Sequence, residues 1–131
     1  MKKVLFVCVE NSCRSQMAEA FAKMHGKDGK DGLEVYSAGS RASGKVNEKA
    51  IKSMRELGYD LNTHSSKSLS EIPDVEYEYA ITMGCGDECP YVKAKRREDW
   101  AIPDPKNMDE RDFNAVRDTI ETKVLSLIAS I

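Results

Sequence analysis

Val4-Leu5-Phe6-Val7-Cys8 is an unbroken apolar run, and a run of that length reads as a strand buried on both faces, as in a parallel sheet. Two further segments read as strands: Leu33-Glu34-Val35-Tyr36-Ser37, closed by Ala38-Gly39-Ser40, and Tyr79-Ala80-Ile81-Thr82-Met83. Helical patterns lie between and after them. The first, from about Ser15 to His25, sets Met17, Phe21 and Met24 on one face and ends at Gly26. Asn47 caps a second that carries Ala50, Ile51, Met54 and Leu57 inward and stops at Gly58. The third runs from about Asp109 to the last residue with Phe113, Val116, Ile120, Val124, Leu127 and Ile131 in one stripe. Trp100-Ala101-Ile102 is read as a short fourth strand, residues 27–32 as a surface loop, and residues 59–75 as irregular with one helical turn. Strands alternating with helices predict an α/β chain with a parallel sheet, whose ligand sits beyond the carboxyl ends of the strands. The segments with reactive side chains, 8–15, 84–90 and 103–106, all fall on that edge.

The 131 residues suit one domain spanning 1–131, and at 40% apolar composition it needs no staples to build a core. A net charge of -2 leaves no footprint for nucleic acid. Lys93-Ala94-Lys95-Arg96-Arg97 is balanced by Glu98 and Asp99, so it reads as a solvated loop face, with a docking patch as the alternative. Lys2-Lys3 precede too few apolar residues for a secretory leader, and no run is long enough to cross a membrane. A cytoplasmic setting is therefore expected, where four cysteines are reactive or metal-binding rather than structural bridges.

Cys8 ends the first strand and Ser15 opens the first helix, so the loop Cys8-Val9-Glu10-Asn11-Ser12-Cys13-Arg14-Ser15 turns its N–H groups toward one point at the positive end of a helix dipole. Arg14 adds a planar fork of donors suited to a phosphate-like anion. Such a field favours thiolate over thiol, and the thiolate is the nucleophile. Ser15 is placed to donate to that thiolate, and Asn11 tolerates the left-handed backbone of a tight cradle. A bare Cys-x5-Arg pattern is weak and also fits a buried cysteine with an unrelated arginine; its place between an apolar strand and an amphipathic helix is what gives it meaning. Asp104, held before Pro105, is the expected general acid, with Asp99 the competing carboxylate. His25 and His64 are expected to pack or hydrogen-bond rather than catalyse.

Cys8-x-x-Asn11-Ser12-Cys13-Arg14-Ser15-Gln16-Met17-Ala18-Glu19 resembles the signature of the arsenate reductases built on the low-molecular-weight tyrosine phosphatase fold. Val35-Tyr36-Ser37-Ala38-Gly39, Val46-Asn47-x-Lys49-Ala50-Ile51, Gly58-Tyr59-Asp60, His64-Ser65-Ser66, and Trp100 followed by Asp104-Pro105 extend the resemblance over essentially the whole chain. It implies a four-stranded parallel sheet flanked by helices, an oxyanion loop for arsenate or phosphate, Cys8 as nucleophile, Arg14 as clamp and Asp104 as general acid. It also implies a thiol cascade: Cys8 forms a thio-arsenate adduct, Cys85 attacks Cys8 as arsenite leaves, and Cys89 attacks Cys85, passing the disulfide to thioredoxin or a similar thiol reductant. Only Gly86-Asp87-Glu88 separate that pair, which in a helical turn sets the Cα atoms about 6 Å apart, inside the disulfide range. Inert or metal-binding cysteines are the alternative, and Cys13 is either a loop-packing residue or a second thiol donor.

Glu10 stands where glycine is expected in much of the family, and a carboxylate so near an anion must point outward. Some relatives hold a potassium ion with residues matching Asn11, Ser15 and Glu19 and an aspartate whose place here is taken by Lys67; an ammonium there repels a cation and can pair with Glu19. No cofactor, metal, nucleic-acid or membrane partner is expected, and the chain is expected to be a monomer. The competing functions are a phosphatase acting through a Cys8 phospho-enzyme, and a non-catalytic thiol module binding arsenite or zinc. Lys106 and Asn107, in place of aromatic residues after Asp104-Pro105, argue against tyrosine substrates; the thiol module leaves Arg14 and Asp104 without a purpose.

Overall fold

The computed structural model describes residues 2–26, 33–84 and 92–130. Cys85 and Cys89, the loop over 27–32 and Ile131 lie outside the described residues. Four strands, β1 (Lys2–Cys8), β2 (Leu33–Gly39), β3 (Tyr77–Thr82) and β4 (Ala94–Asp99), form one sheet. They are all parallel, in the order β2-β1-β3-β4. Three helices accompany them: α1 (Arg14–Gly26), α2 (Glu48–Arg55) and α3 (Glu110–Ser130).

β1 is the spine of the sheet because its side chains can be buried on both faces. Val4, Phe6 and Cys8 enter the larger core cluster, with Met17 and Phe21 of α1, Ala50 and Met54 of α2 and the α3 stripe. Leu5 and Val7 enter a smaller cluster on the other face with Ala38 and Tyr77, against which Leu69 and Ile72 pack. Fully buried residues such as Leu5 and Phe6 each contribute about 1.5–3 kcal/mol through area removed from water. The α3 stripe of Phe113, Val116, Ile120, Val124 and Leu127 is buried as its spacing predicts. Beside it Arg117 is also buried, its Nη1 donating to the Ser53 carbonyl at 3.0 Å and so tying α3 to α2.

Several sequence expectations need correction. Trp100-Ala101-Ile102 is not a strand: Trp100 is buried against Phe6 with ring centroids 5.9 Å apart, and the strand is the charged stretch just before it. The run 93–97 is therefore not a solvated loop but chiefly part of an edge strand. Pairing with β3 on one side supplies its backbone bonds, and its charged side chains line the exposed border, where they discourage pairing with another chain. The Arg96 guanidinium lies 5.8 Å from the Tyr79 ring centre, and Lys95 pairs with Glu78 at 3.7 Å. Leu57 is not inward but 37% exposed, because α2 ends at Arg55 and the chain turns through Gly58 at φ 83. Residues 59–75 hold two 3-10 turns, Leu61–Thr63 and Leu69–Glu71, rather than one helical turn.

The order β2-β1-β3 places a topological switch between β1 and β3, where connections leave in opposite directions and open a crevice at the carboxyl ends. The loop after β1 fills that crevice by passing directly over Gly39. A Cβ on Gly39 would meet the Val9 carbonyl oxygen at 2.5 Å and the Asn11 nitrogen at 2.9 Å. Gly39→Ala should therefore cost about 1–3 kcal/mol by overpacking, and it should weaken phosphate binding because the atoms it displaces are loop backbone. Urea denaturation and competition by phosphate measure the two losses, and an alanine variant with wild-type values for both would contradict this packing.

Candidate active site

The loop from Cys8 to Arg14 is oriented by its carbonyls. Ser40 N–H donates to the Cys8 carbonyl at 3.3 Å, Arg41 N–H to Val9 at 2.8 Å, and Ser43 N–H to Glu10 at 3.0 Å. Gln16 Nε2 reaches the Asn11 carbonyl at 3.0 Å, and the N–H groups of Asn47 and Met17 take those of Ser12 and Cys13 at 3.0 and 2.9 Å. In a trans peptide unit the C=O and the following N–H point in opposite directions. With the carbonyls of residues 8–13 held by the surrounding chain, the N–H groups of Val9 through Arg14 are turned to the other side, toward the Cys8 cavity. Asn11 makes the tightest part of this path, in the left-handed region at φ 52.

The Asn11 side chain has one possible orientation. Lys67 N–H, which can only donate, lies 2.7 Å from Asn11 Oδ1, and Gln16 Nε2 donates to the same oxygen at 2.8 Å. The Asn11 amide nitrogen must then donate to Ser15 Oγ at 2.8 Å, and the same hydroxyl lies 2.8 Å from Cys8 Sγ, to which it donates when the sulfur is a thiolate. Gln16 is itself held, donating to the Ser65 carbonyl at 2.9 Å and accepting at Oε1 from His64 Nδ1 at 2.9 Å. His64 Nε2 then accepts from the Tyr59 hydroxyl at 2.6 Å, and burial holds the imidazole pKa down, favouring the neutral ring these bonds require. His64 thus hydrogen-bonds within the support of the loop, and His25 pairs with Glu121 at 3.0 Å far along the chain.

Arg14 is 7% exposed. Its Nη1 donates to the carbonyls of Met83 and of Ile102, the latter at 2.9 Å, fixing the guanidinium where β1, β3 and the segment after β4 meet. Gly84, at φ 80, leaves room for it, since a Cβ there would lie 3.3 Å from Arg14 Nη1 and 3.0 Å from the Ile102 carbonyl oxygen. A cavity of about 350 Å³ results, lined by Cys8, Val9, Glu10, Ser12, Cys13 and Arg14 from the loop and by Gly84 and 102–104 opposite. Asn11 and Ser15 lie beneath it, fully buried.

Asp104 is on the wall of this cavity, its Oδ1 accepting the Lys106 N–H at 3.1 Å in a local turn. Asp99 is engaged elsewhere: its Oδ1 accepts from the Thr82 hydroxyl at 2.6 Å and from Gly84 N–H at 3.1 Å, which braces the turn after β3. Cys13 shares the cavity, but burial pushes its thiol up to about 12. Glu10 turns outward, with Oε2 at 3.0 Å from Lys106 Nζ. Gly84 and the Met83 and Ile102 carbonyls were not singled out by sequence reasoning. The glycine directly after an apolar strand was their available signal.

The buried Glu19 carboxylate lies beside this support. Ser37 donates to it, Lys23 Nζ pairs with it at 2.7 Å, and Lys67 Nζ stands 3.9 Å away while donating to the Ser65 carbonyl at 2.9 Å. A potassium ion does not fit this arrangement: two ammonium groups flank the carboxylate, and the Asn11 and Ser15 side chains are committed to each other. Activity and melting temperature should therefore be the same in potassium chloride and choline chloride at equal ionic strength. Lys67→Met should lose up to about 1 kcal/mol, the worth of a long ion pair, because Glu19 keeps Lys23 and Ser37. Specific activation or stabilisation by potassium would refute the replacement.

Comparison with known proteins agrees with this geometry. The family model described as low molecular weight phosphotyrosine protein phosphatase matches residues 3–131. A glutaredoxin arsenate reductase from Synechocystis is 40% identical, over 100% of this chain and 99% of the relative, and arsenate reductase 2 of Staphylococcus epidermidis is 37% identical over 95% of each. A solved structure of an arsenate reductase in the phosphate binding state superposes with a TM-score of 0.87 at 40% identity, covering 100% of this chain and 99% of that one. With the signature loop, the sheet order and the full-length match in agreement, the chain belongs to the low molecular weight phosphotyrosine protein phosphatase family, in its arsenate reductase branch.

Proposed function

We propose that this protein reduces arsenate to arsenite, with Cys8 as nucleophile and a thiol cascade as the source of two electrons. The observation that carries the reading is the Cys8 thiol bonded to Ser15 at a cavity that Arg14 and Asp104 also line. The N–H groups of residues 9–15 and the free edge of the Arg14 guanidinium take the tetrahedral oxyanion. Cys8 Sγ attacks arsenic, and an arsenate oxygen leaves as water after Asp104 gives it a proton. In the resulting thio-arsenate, Cys85 Sγ attacks Cys8 Sγ, and the S–As electron pair passes to arsenic, releasing arsenite. Cys89 then attacks Cys85, freeing the Cys8 thiolate and leaving a Cys85–Cys89 disulfide for an external dithiol to reduce.

The relatives carry names that point to two kinds of reductant, glutaredoxin in Synechocystis and thioredoxin in a Corynebacterium glutamicum enzyme 28% identical to this chain. A thiol reductant of one of these kinds is the partner proposed here. Among the described residues no helix is long and apolar enough to cross a membrane. Cys13 is a poor second donor, because a thiol pushed up to about 12 supplies almost no thiolate at neutral pH.

Cys8→Ser should abolish arsenate-dependent thiol consumption together with any aryl-phosphatase activity, as both use one nucleophile. Cys89→Ser should release about one arsenite per enzyme and trap a Cys8–Cys85 disulfide, leaving aryl-phosphate hydrolysis intact. Mass mapping that joined Cys8 to Cys13 would overturn the cascade. Running the assay with thioredoxin and with glutaredoxin plus glutathione identifies the reductant.

Asp104→Asn should slow the step with a poor leaving group roughly 10²–10⁴-fold, the usual worth of a general acid. Asp99→Asn should act mainly on stability. If its catalytic loss is the larger one, the wrong carboxylate has been named.

A further inference from the structure

A second concavity of about 450 Å³ adjoins the Cys8 cavity, walled by residues 43 and 45–49 together with Glu10 and Ser12. Glu10 and Ser12 line both spaces, so the loop forms the ridge between them. From that ridge Glu10 Oε2 reaches Lys106 Nζ at 3.0 Å, although the two residues are 96 positions apart in the chain. The Lys106 backbone is anchored in turn: Lys49 Nζ donates to the carbonyls of Lys106 at 3.0 Å and Met108 at 2.9 Å. A strap therefore crosses from the oxyanion loop to the segment that follows Asp104. The pair is well exposed, with side-chain accessibilities of 41% and 39%. Such a pair adds little to stability, and its consequence lies in what it obstructs.

We propose that the Glu10–Lys106 pair is a specificity-determining wall, closing the Cys8 cavity toward the neighbouring groove so that a bare inorganic oxyanion enters while one carrying an organic ester group is obstructed. An oxyanion seated on the loop directs one substituent away from Cys8, and an ester group there must leave the cavity. The groove over 43–49 adjoins the cavity across Glu10 and Ser12, and the bond to Lys106 holds the Glu10 side chain on that ridge. The two charges also cancel. A lone Lys106 would attract, and a lone Glu10 repel, every anion alike, whereas the pair leaves size to decide.

The proposal deepens the arsenate reading and rests on it for the identity of the small oxyanion. Its test uses Cys8 chemistry that needs no thiol cascade. The readout is kcat/KM for p-nitrophenyl phosphate multiplied by the inhibition constant of inorganic phosphate, measured at 0.15 M salt. Glu10→Gln and Lys106→Gln should each raise this product on the order of tenfold, the worth of a steric contact in a pocket. The exchanged double variant, Glu10→Lys with Lys106→Glu, should return it toward the wild-type value. A product unmoved in both single variants, with phosphate and ester changing in parallel, would reduce the pair to a charge effect and overturn the wall. Opposite movements in the two variants, or no ester hydrolysis in any variant, would overturn it as well. Wild-type protein that consumes no thiol with arsenate, beside variants that gain ester hydrolysis, would sink the arsenate reading and leave the wall standing.

Discussion

The hydrogen bond from Lys67 N–H to Asn11 Oδ1 governs the chemistry of the site. A backbone N–H has only a hydrogen to offer, so the Asn11 amide has one orientation and its nitrogen faces Ser15. That choice holds the Ser15 hydroxyl beside Cys8 Sγ, where it donates when the sulfur is a thiolate. Gln16 and His64 secure the same oxygen from a second side, and the burial that keeps His64 neutral preserves the donor-acceptor order of the chain of bonds. A network of this kind is worth most when every member is satisfied, and Asn11, Ser15 and Gln16, all fully buried, each have partners.

The carbonyl anchors complete the device. A loop turned to hold an anion presents N–H groups in one direction, and its carbonyls would be stranded unless other donors met them. The N–H groups of Ser40, Arg41, Ser43 and Asn47, together with Gln16, perform that service. Most of these donors lie in the segment between β2 and α2, so the helical cap at Asn47 is also a support of the anion site. Asn47 accepts from Lys49 N–H at 2.8 Å with its side chain while its own N–H holds the Ser12 carbonyl. Arg14 does for the far side what Asn47 does for the near one, joining the ends of β3 and of the segment after β4.

Much of this was legible in the chain. The unbroken run over β1, the Asn47 cap, the α3 stripe, the left-handed Asn11, the Ser15 contact with Cys8 and the outward Glu10 follow from local chemistry: side-chain period, backbone sterics and the cost of placing like charges together. The fourth strand and the Trp100 segment were misread together. β4 carries Lys95-Arg96-Arg97-Glu98-Asp99, which has no apolar alternation to find, because an edge strand owes its existence to the backbone of its neighbour. Trp100, which looked like strand material, is apolar for a different purpose, filling space against Phe6.

The sequence by itself determined the kind of fold and the kind of site, since periodicity and the Cys8-to-Ser15 spacing act over a few residues and need no distant partner. The tertiary structure alone decided how that site is held and bounded. Asp104 rather than Asp99 faces the cavity because Asp99 braces Gly84. Lys67 stands beside Glu19 because Gly39 and Ser68 form a bridge that brings the segment past the loop. Lys106 meets Glu10 across 96 residues of chain. Each of these depends on which segments meet after folding, and contact between residues far apart is set by packing that no local pattern encodes.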